Sequence, residues 1–368
     1  MQVSDFDFDL PPELIAQDPA AERTAARLLH LDRESGSMVH STVAALPDHL
    51  RAGDLVVVNN TRVFPARLLG HRVPSGGAVE CLLIRRLSWS RASKGSDPKA
   101  QPVGVSGSDP ELWEALMHPG QKLKPGARVV FEGARTLHGE VQEQHYFGRR
   151  VIKLWTDDES TVDEAVDAIG HVPLPPYIKR DDRQEDRDRY QTVFAQRRGS
   201  VAAPTAGLHF TPALVHALAE RGVRTAEITL HVGYGTFQPV RVDRVEDHRL
   251  EPEGYEIDPA AASAINAALA EGRRVIAVGT TTTRTLEAVA AAHDGHIVAG
   301  AGATDLFIYP GFGFKVVGAL LTNFHLPRSS LIMLVAAFAG HDTVMNAYHA
   351  AIAERYRFYS YGDAMLVT

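Results

Sequence analysis

At 368 residues the chain exceeds the usual size of a single hydrophobic core, so two domains are expected, and 45% hydrophobic with 23% charged residues is an ordinary soluble composition. One cysteine, Cys81, excludes a disulfide framework or a cysteine-rich zinc site, and the acidic, proline-broken start MQVSDFDFDLPPELIAQ lacks the layout of a signal peptide. The longest apolar run, around Leu331–Ala339, is too short to span a bilayer, so a cytoplasmic location with no membrane partner is expected.

The net charge of −7 argues against a generally basic nucleic-acid binder, yet Arg62 to Trp155 holds 15 Lys plus Arg against 8 Asp plus Glu, a net of +7. Such a basic module suits a polyanion held at one place; scattered charge on a solvated surface gives the same count.

From the N-terminus, FDFD reads as a short alternating segment, Glu13–Gln17 as a proline-capped helical turn and Arg27–Leu31 as a strand. Gly53–Asn59, GDLVVVN, is a buried strand whose polar end, Asn59 to Arg62, is placed either to meet a ligand or to make an exposed turn. Val63 to Trp155 changes texture to short β-rich pieces, AVECLLI, ARVVFEG and RRVIKLW, which favour a small barrel or sandwich inserted into the first domain. Within it, Ser88–Pro110 is serine-, glycine- and proline-rich and reads as a mobile loop whose Lys94 and Lys99 reach a phosphate backbone or serve no ligand.

Beyond a helix at Val162–Ile169, prolines around Leu174 hold an extended segment, and Tyr177–Arg189 packs five basic and five acidic residues together, as a solvated face or a substrate-facing one. Gly199–Thr211, GSVAAPTAGLHFT, is uncharged, rich in small and hydroxyl residues, and carries one histidine; it suits a binding loop or a buried crossover. Thr211 caps a helix with Pro212 at its first position and Gly222 as its stop. RTAEITLHVGYG is a strand into a glycine turn, but Gly233 and Gly235 lack the third glycine of a dinucleotide site. Asp258 caps an alanine-rich helix ending at Gly272, and RRVIAVGTTTTRTLEAV is a strand, a glycine and a helix start carrying Arg284, suited to an anion. Leu306–Tyr309 and Lys315–Val317 are expected as strands, Leu331–Ala339 as a buried helix or strand, and Asp342–Arg355 as a last helix. The fold class is therefore α/β: a mixed-sheet body of residues 1–61 and 156–368, with a smaller barrel-like insert over 62–155.

Three histidines lie in apolar brackets, His209, His231 and His325, each able to shuttle a proton, bind a metal or fill a core. No close histidine pair, nucleophile elbow or P-loop accompanies them.

Taken in order, FDFDLPPELIAQ, DLVVVNNTRVFPARL, PLPPYIKR, RYQTVFA, GSVAAPTAGLHFT, LHVGYGTFQPV, HRLEPEGYEI, GTTTTRTLEA, TDLFIYPGFGFKVVGALLTNFHLPRSSLIMLV and YRFYSYGDAML resemble the S-adenosylmethionine:tRNA ribosyltransferase-isomerases of queuosine biosynthesis. The resemblance covers the α/β body end to end, while the insert matches in position and β-rich character. It implies transfer of the ribosyl unit of S-adenosylmethionine, as co-substrate and without a metal, to 7-aminomethyl-7-deazaguanine in a tRNA with a GUN anticodon. The product is epoxyqueuosine, with adenine and methionine released. Within that scheme His209 or His325 is the proton-transfer candidate. Thr205, Gly207, Thr281 and Thr282, with Arg284 as a carboxylate clamp, are candidates for S-adenosylmethionine, and Arg62, Tyr177, Arg180 and Arg328 for the tRNA. The rival readings are a noncatalytic tRNA-binding module and a histidine-dependent metallohydrolase.

Overall fold

The computed structural model describes residues 1–87, 109–237 and 239–368, so Lys94, Lys99 and nearly all of the expected 88–110 loop lie outside the described residues. The chain divides into two compact units. One comprises Met1–Arg62, Pro175–Asp181 and Asp188–Thr368, the other Val63–Leu174 with Asp182–Arg187.

The larger unit is organised by β1 (Arg27–Leu31), β2 (Met38–Thr42), β3 (Leu55–Asn59), β12 (Arg224–Leu230), β13 (Glu253–Ile257), β14 (Val275–Val278), β15 (Gly300–Thr304), β16 (Ala319–Asn323) and β17 (Ala364–Val367). They form one mixed nine-stranded sheet in the order β15-β13-β12-β3-β14-β16-β17-β1-β2. Strands β12, β3, β14 and β16 run parallel at its centre, and β17 enters antiparallel to β16. A parallel centre must be covered on both faces, which is why LVVVN shows no alternation: Leu55 and Val57 face one core layer, Val56 and Val58 the other. Helices α5 (Pro259–Ala270), α6 (Thr280–Ala292), α7 (Ser330–Ala339) and α8 (His341–Ala353) supply the first layer, α1 (Leu46–His49) and α4 (Pro212–Glu220) the second.

Helix boundaries follow the expected chemistry. The Thr211 hydroxyl accepts from Leu214 N–H and the Asp258 carboxylate from Ala261 N–H, each followed by proline at the first helical position. Leu331–Ala339 resolves as helix α7, which meets α8 at a bend of 117°; no single helix among the described residues is long and apolar enough to cross a membrane.

Two expected strands do not form. The amides of Lys315, Val316 and Val317 donate to the buried Glu287 carboxylate at 2.8, 3.0 and 2.9 Å, so this apolar run is pinned by a helix side chain and not by a neighbouring strand. Leu306–Tyr309 packs its side chains on the core as irregular chain, and its first carbonyl accepts from Arg284. One edge strand of the sheet is β15, whose GAGAT sequence carries no apolar period.

In the smaller unit β5 (Arg67–Val73), β6 (Ala78–Leu87), β7 (Glu111–His118), β8 (Arg128–Glu132), β9 (Thr136–Gln144) and β10 (Arg149–Trp155) close into an antiparallel barrel. Cys81 lies fully inside it, where burial pushes the thiol pKa up and leaves it inert. Helix α2 (Val162–Ile169), expected in the body, belongs to this unit. Much of the barrel's positive charge is committed: Arg67 pairs with Glu80, Arg85 and Arg149 with Glu114, Arg86 with Asp163, and Arg128 with Glu140. The remaining elements are β4 (Thr61–Val63) paired with β11 (Arg197–Ser200) as a two-stranded ribbon, and the short α3 (Asp186–Arg189).

Candidate functional site

The segments that follow β11, β12, β14 and β16 meet around a cleft of about 490 Å³. This is the place at which parallel α/β sheets bind ligands. Gly279 makes the strand-to-helix turn from β14 into α6 in one residue at φ +89°, a conformation that a side chain strains, and it sets Thr280 and Thr281 in the cleft wall. Strand β16 delivers Thr322, Asn323, Phe324 and His325 to the same wall, and Thr205, Thr236, Tyr359 and Ser360 complete the polar lining. Ala203, Pro204, Ala206, Val232 and Leu331 make the rest apolar.

Of the two candidate histidines, His325 lines this cleft and His209 does not. His325 Nδ1 lies 3.2 Å from the Tyr348 hydroxyl, which also accepts from the His325 backbone N–H, and Nε2 lies 3.3 Å from Thr322 Oγ1. Each ring nitrogen thus has a hydroxyl partner, Nδ1 that of Tyr348 and Nε2 that of Thr322. Burial holds the pKa of His325 down at about 3. It holds His209 at about 4, with Arg357 and Arg23 adding to the effect. Both imidazoles are therefore neutral near neutral pH.

Asn323 joins the cleft wall to His209. Its Nδ2 donates to Tyr359 O at 3.1 Å and to His209 Nε2 at 3.2 Å, which leaves Oδ1 buried without a partner. Thr281 Oγ1 is likewise buried and unpartnered. On the far side of His209 is a second cavity of about 300 Å³, lined by Arg23, Arg189, Leu208, His209, Tyr361 and also by Ser360, which thus belongs to both.

The other expected site residues are distributed unevenly. Thr205 and Thr281 line the cleft. Thr282 is turned into its own helix, its hydroxyl donating to Val278 O at 2.8 Å, and Gly207 packs where a Cβ would meet Thr192 Cγ2 at 2.9 Å. Arg284 is buried and bonds Glu253 Oε2 at 2.5 Å and Leu306 O at 2.9 Å, with its Nη2 left unpartnered, and Glu253 accepts from Gly233 N–H at 2.8 Å beside Thr236. Tyr177 reaches the cleft rim: its hydroxyl bonds Ser360 and its ring meets Tyr359 edge-on, with burial raising its pKa. Arg180 is held by Asp18 at 3.0 Å and Arg328 by Asp7, while Arg62 is exposed.

His231 bonds Thr61 Oγ1 at 2.8 Å and lies flat against Gly199, where a Cβ would stand 2.7 Å from the ring. The three bracketed histidines thus have separate partners, and no cluster of three His, Cys, Asp or Glu placed to hold a metal occurs among the described residues. The sequence did not single out Asn323, Tyr359, Ser360 or Arg23 as site residues, and it offered Arg189 only as the last residue of the mixed-charge run Tyr177–Arg189.

Two buried neutral histidines make stability depend on pH. Each has a folded pKa below its unfolded value near 6.5, so the unfolded chain binds more protons and stability is lost as pH falls from that value toward the folded pKa. Between about pH 7 and pH 5 each is expected to cost about 2 kcal/mol, checked by urea unfolding at the two pH values and by a flatter dependence in His209→Gln.

Residues 3–367 match the family described as queuosine biosynthesis protein. Two S-adenosylmethionine:tRNA ribosyltransferase-isomerases, from Symbiobacterium thermophilum and Geobacter sulfurreducens, are each 50% identical to this chain, with 100% of both chains covered in each case. The crystal structure of S-adenosylmethionine tRNA ribosyltransferase from Thermotoga maritima shares 36% identity at a TM-score of 0.54, covering 99% of this chain and 100% of that one.

Proposed function

The chain belongs to the queuosine biosynthesis protein family, as a transferase among its S-adenosylmethionine:tRNA ribosyltransferase-isomerases, and on that premise we propose the reaction it carries out. It moves and isomerises the ribosyl unit of S-adenosylmethionine onto 7-aminomethyl-7-deazaguanine in a tRNA with a GUN anticodon. The products are epoxyqueuosine in the tRNA, free adenine and free methionine. A cytoplasmic location goes with that substrate.

The observation that carries the reading is the cleft itself. Its apolar walls and two orphaned buried polar atoms, Thr281 Oγ1 and Asn323 Oδ1, fit a nucleoside: flat surfaces for a heterocycle, with one hydroxyl and one acceptor for its polar edge. The sulfonium of bound S-adenosylmethionine acidifies the neighbouring ribose carbon, so the reaction calls for proton transfer, a donor to the departing adenine and a place for methionine. His325, neutral and on the cleft wall beside Thr322, supplies a hydrogen-bonding group there without bringing a charge. The free amides of Thr280 and Thr281 at the start of α6 suit the methionine carboxylate, a role that passes to them from Arg284, whose charge is already met by Glu253. Tyr177 holds Ser360 at the rim.

The test mixes the protein with S-adenosylmethionine and tRNA bearing the aminomethyl base. Adenine and methionine are expected to appear in equal amounts, and not with guanine-containing tRNA. Salt-sensitive tRNA binding with neither product would instead establish a noncatalytic binding module.

A further inference from the structure

Arg23 and Arg189 share one wall of the second cavity with His209. Their N–H groups go to backbone carbonyls: Arg23 to Leu208 at 2.9 Å and Asp188 at 3.0 Å, Arg189 to Ala21 at 3.0 Å and to Ala20. Arg189 Nε is buried with no partner at all. Carbonyls satisfy donors but do not neutralise charge, and among the described residues no carboxylate forms an ion pair with either guanidinium. The Asp188 carboxylate and the Tyr361 hydroxyl act on Arg23 only from a distance. Burial lowers the pKa of Arg23 and the nearby charge of Arg189 adds to the effect, while the charges of Arg357 and Arg23 reach His209. Two like charges lining one half-enclosed cavity, with the buried Arg189 Nε–H unpartnered, cost free energy that an anion would recover.

We infer that this cavity is a phosphate subsite, which takes the backbone phosphate of the tRNA nucleotide whose base is presented to the neighbouring cleft. Guanidinium groups match a phosphodiester in geometry as well as in charge. Ser360 borders both cavities, and the His209–Asn323 hydrogen bond runs from one to the other. A phosphate seated on Arg23 and Arg189 therefore fixes where its nucleoside lies relative to Asn323 and His325. The inference rests on the tRNA reading above.

The experiment measures binding of an anticodon stem-loop carrying a GUN anticodon to the full chain and to Arg23→Gln and Arg189→Gln, across a range of salt concentrations. S-adenosylhomocysteine binding serves as the control for an intact cleft. Each substitution is expected to weaken stem-loop binding about tenfold and to make the slope of log K against log salt shallower by about 0.7 to 0.9. S-adenosylhomocysteine affinity is expected to change less than about twofold. Arg189→Lys, which keeps the charge, is expected to retain the slope. An unchanged slope in both glutamine variants overturns the subsite. Should those variants fail to fold, the wild-type chain still decides: inorganic phosphate is expected to compete with the stem-loop more strongly than chloride at equal ionic strength, and equal competition overturns the inference. Stabilisation of the wild type by phosphate, lost in the variants while their stem-loop binding is intact, would assign the site to a free anion and overturn the RNA source. A wild-type chain that binds no stem-loop defeats the tRNA reading itself.

Discussion

Replacing His325 by alanine is expected to lower single-turnover adenine release by about 100-fold or more, the usual scale for losing a positioned proton-transfer group. His325 is the candidate histidine that lines the cleft, with Nδ1 held by Tyr348 and Nε2 beside Thr322 on the cleft wall. S-adenosylhomocysteine is expected to bind His325→Ala within about fivefold of the parent affinity, because the loss falls on the transition state and not on uniform binding. His209→Ala is expected to lose only about tenfold, since His209 reaches the cleft through the Asn323 amide. Stopped-time assays of adenine at saturating protein measure both. A larger loss at His209 than at His325 would reverse the assignment.

The second large effect concerns the pair Arg284–Glu253. With Arg284 6% and Glu253 8% exposed, Glu253→Ala leaves a guanidinium buried without its counter-charge, a defect expected to cost about 3–5 kcal/mol in urea unfolding. It also frees the Gly233 amide and with it the turn that carries Thr236 into the cleft, so KM for S-adenosylmethionine is expected to rise together with the loss of stability. Removing both charges as Glu253→Leu with Arg284→Met is expected to recover most of the stability but not the KM. That split separates the electrostatic defect from the placement of the loop, and full recovery of both would refute a role for the pair in positioning Thr236.

What the sequence disclosed follows the physics of local signals. The runs at Leu55–Asn59 and Val275–Val278 read as buried strands because covered parallel strands need unbroken apolar chains, and Thr211-Pro212 and Asp258-Pro259 read as helix starts because capping is a contact within a few residues. Lys315–Val317 misled for the converse reason: its amides are satisfied by Glu287 from another element, which no local window reveals. The same limit governed the site. Thr281 and His325 stood in polar, punctuated segments and line the cleft, whereas Arg284 looked like an anion clamp until its partner Glu253, 31 residues away, is seen to occupy it. Asn323 lies in a polar, histidine-centred stretch, Thr322–Ser330, that does not mark it out from its neighbours, and Ser360 reads as one more hydroxyl in an aromatic tail; their importance comes from standing where two cavities adjoin, a property of the folded chain alone.

Strand β17, set between β16 and β1, has a consequence for the time course of folding. β1 has no neighbour on that side except β17, and the hydrogen bond from Arg27 N–H to Asp363 just outside the pairing closes a loop of 336 residues. During synthesis β1 and β2 must wait as an open edge until residues 364–367 leave the ribosome, and closure over so long a separation is slow. Tyr359 and Ser360 directly precede β17 in the chain, so neither cavity has its full lining until that segment has been made and has docked.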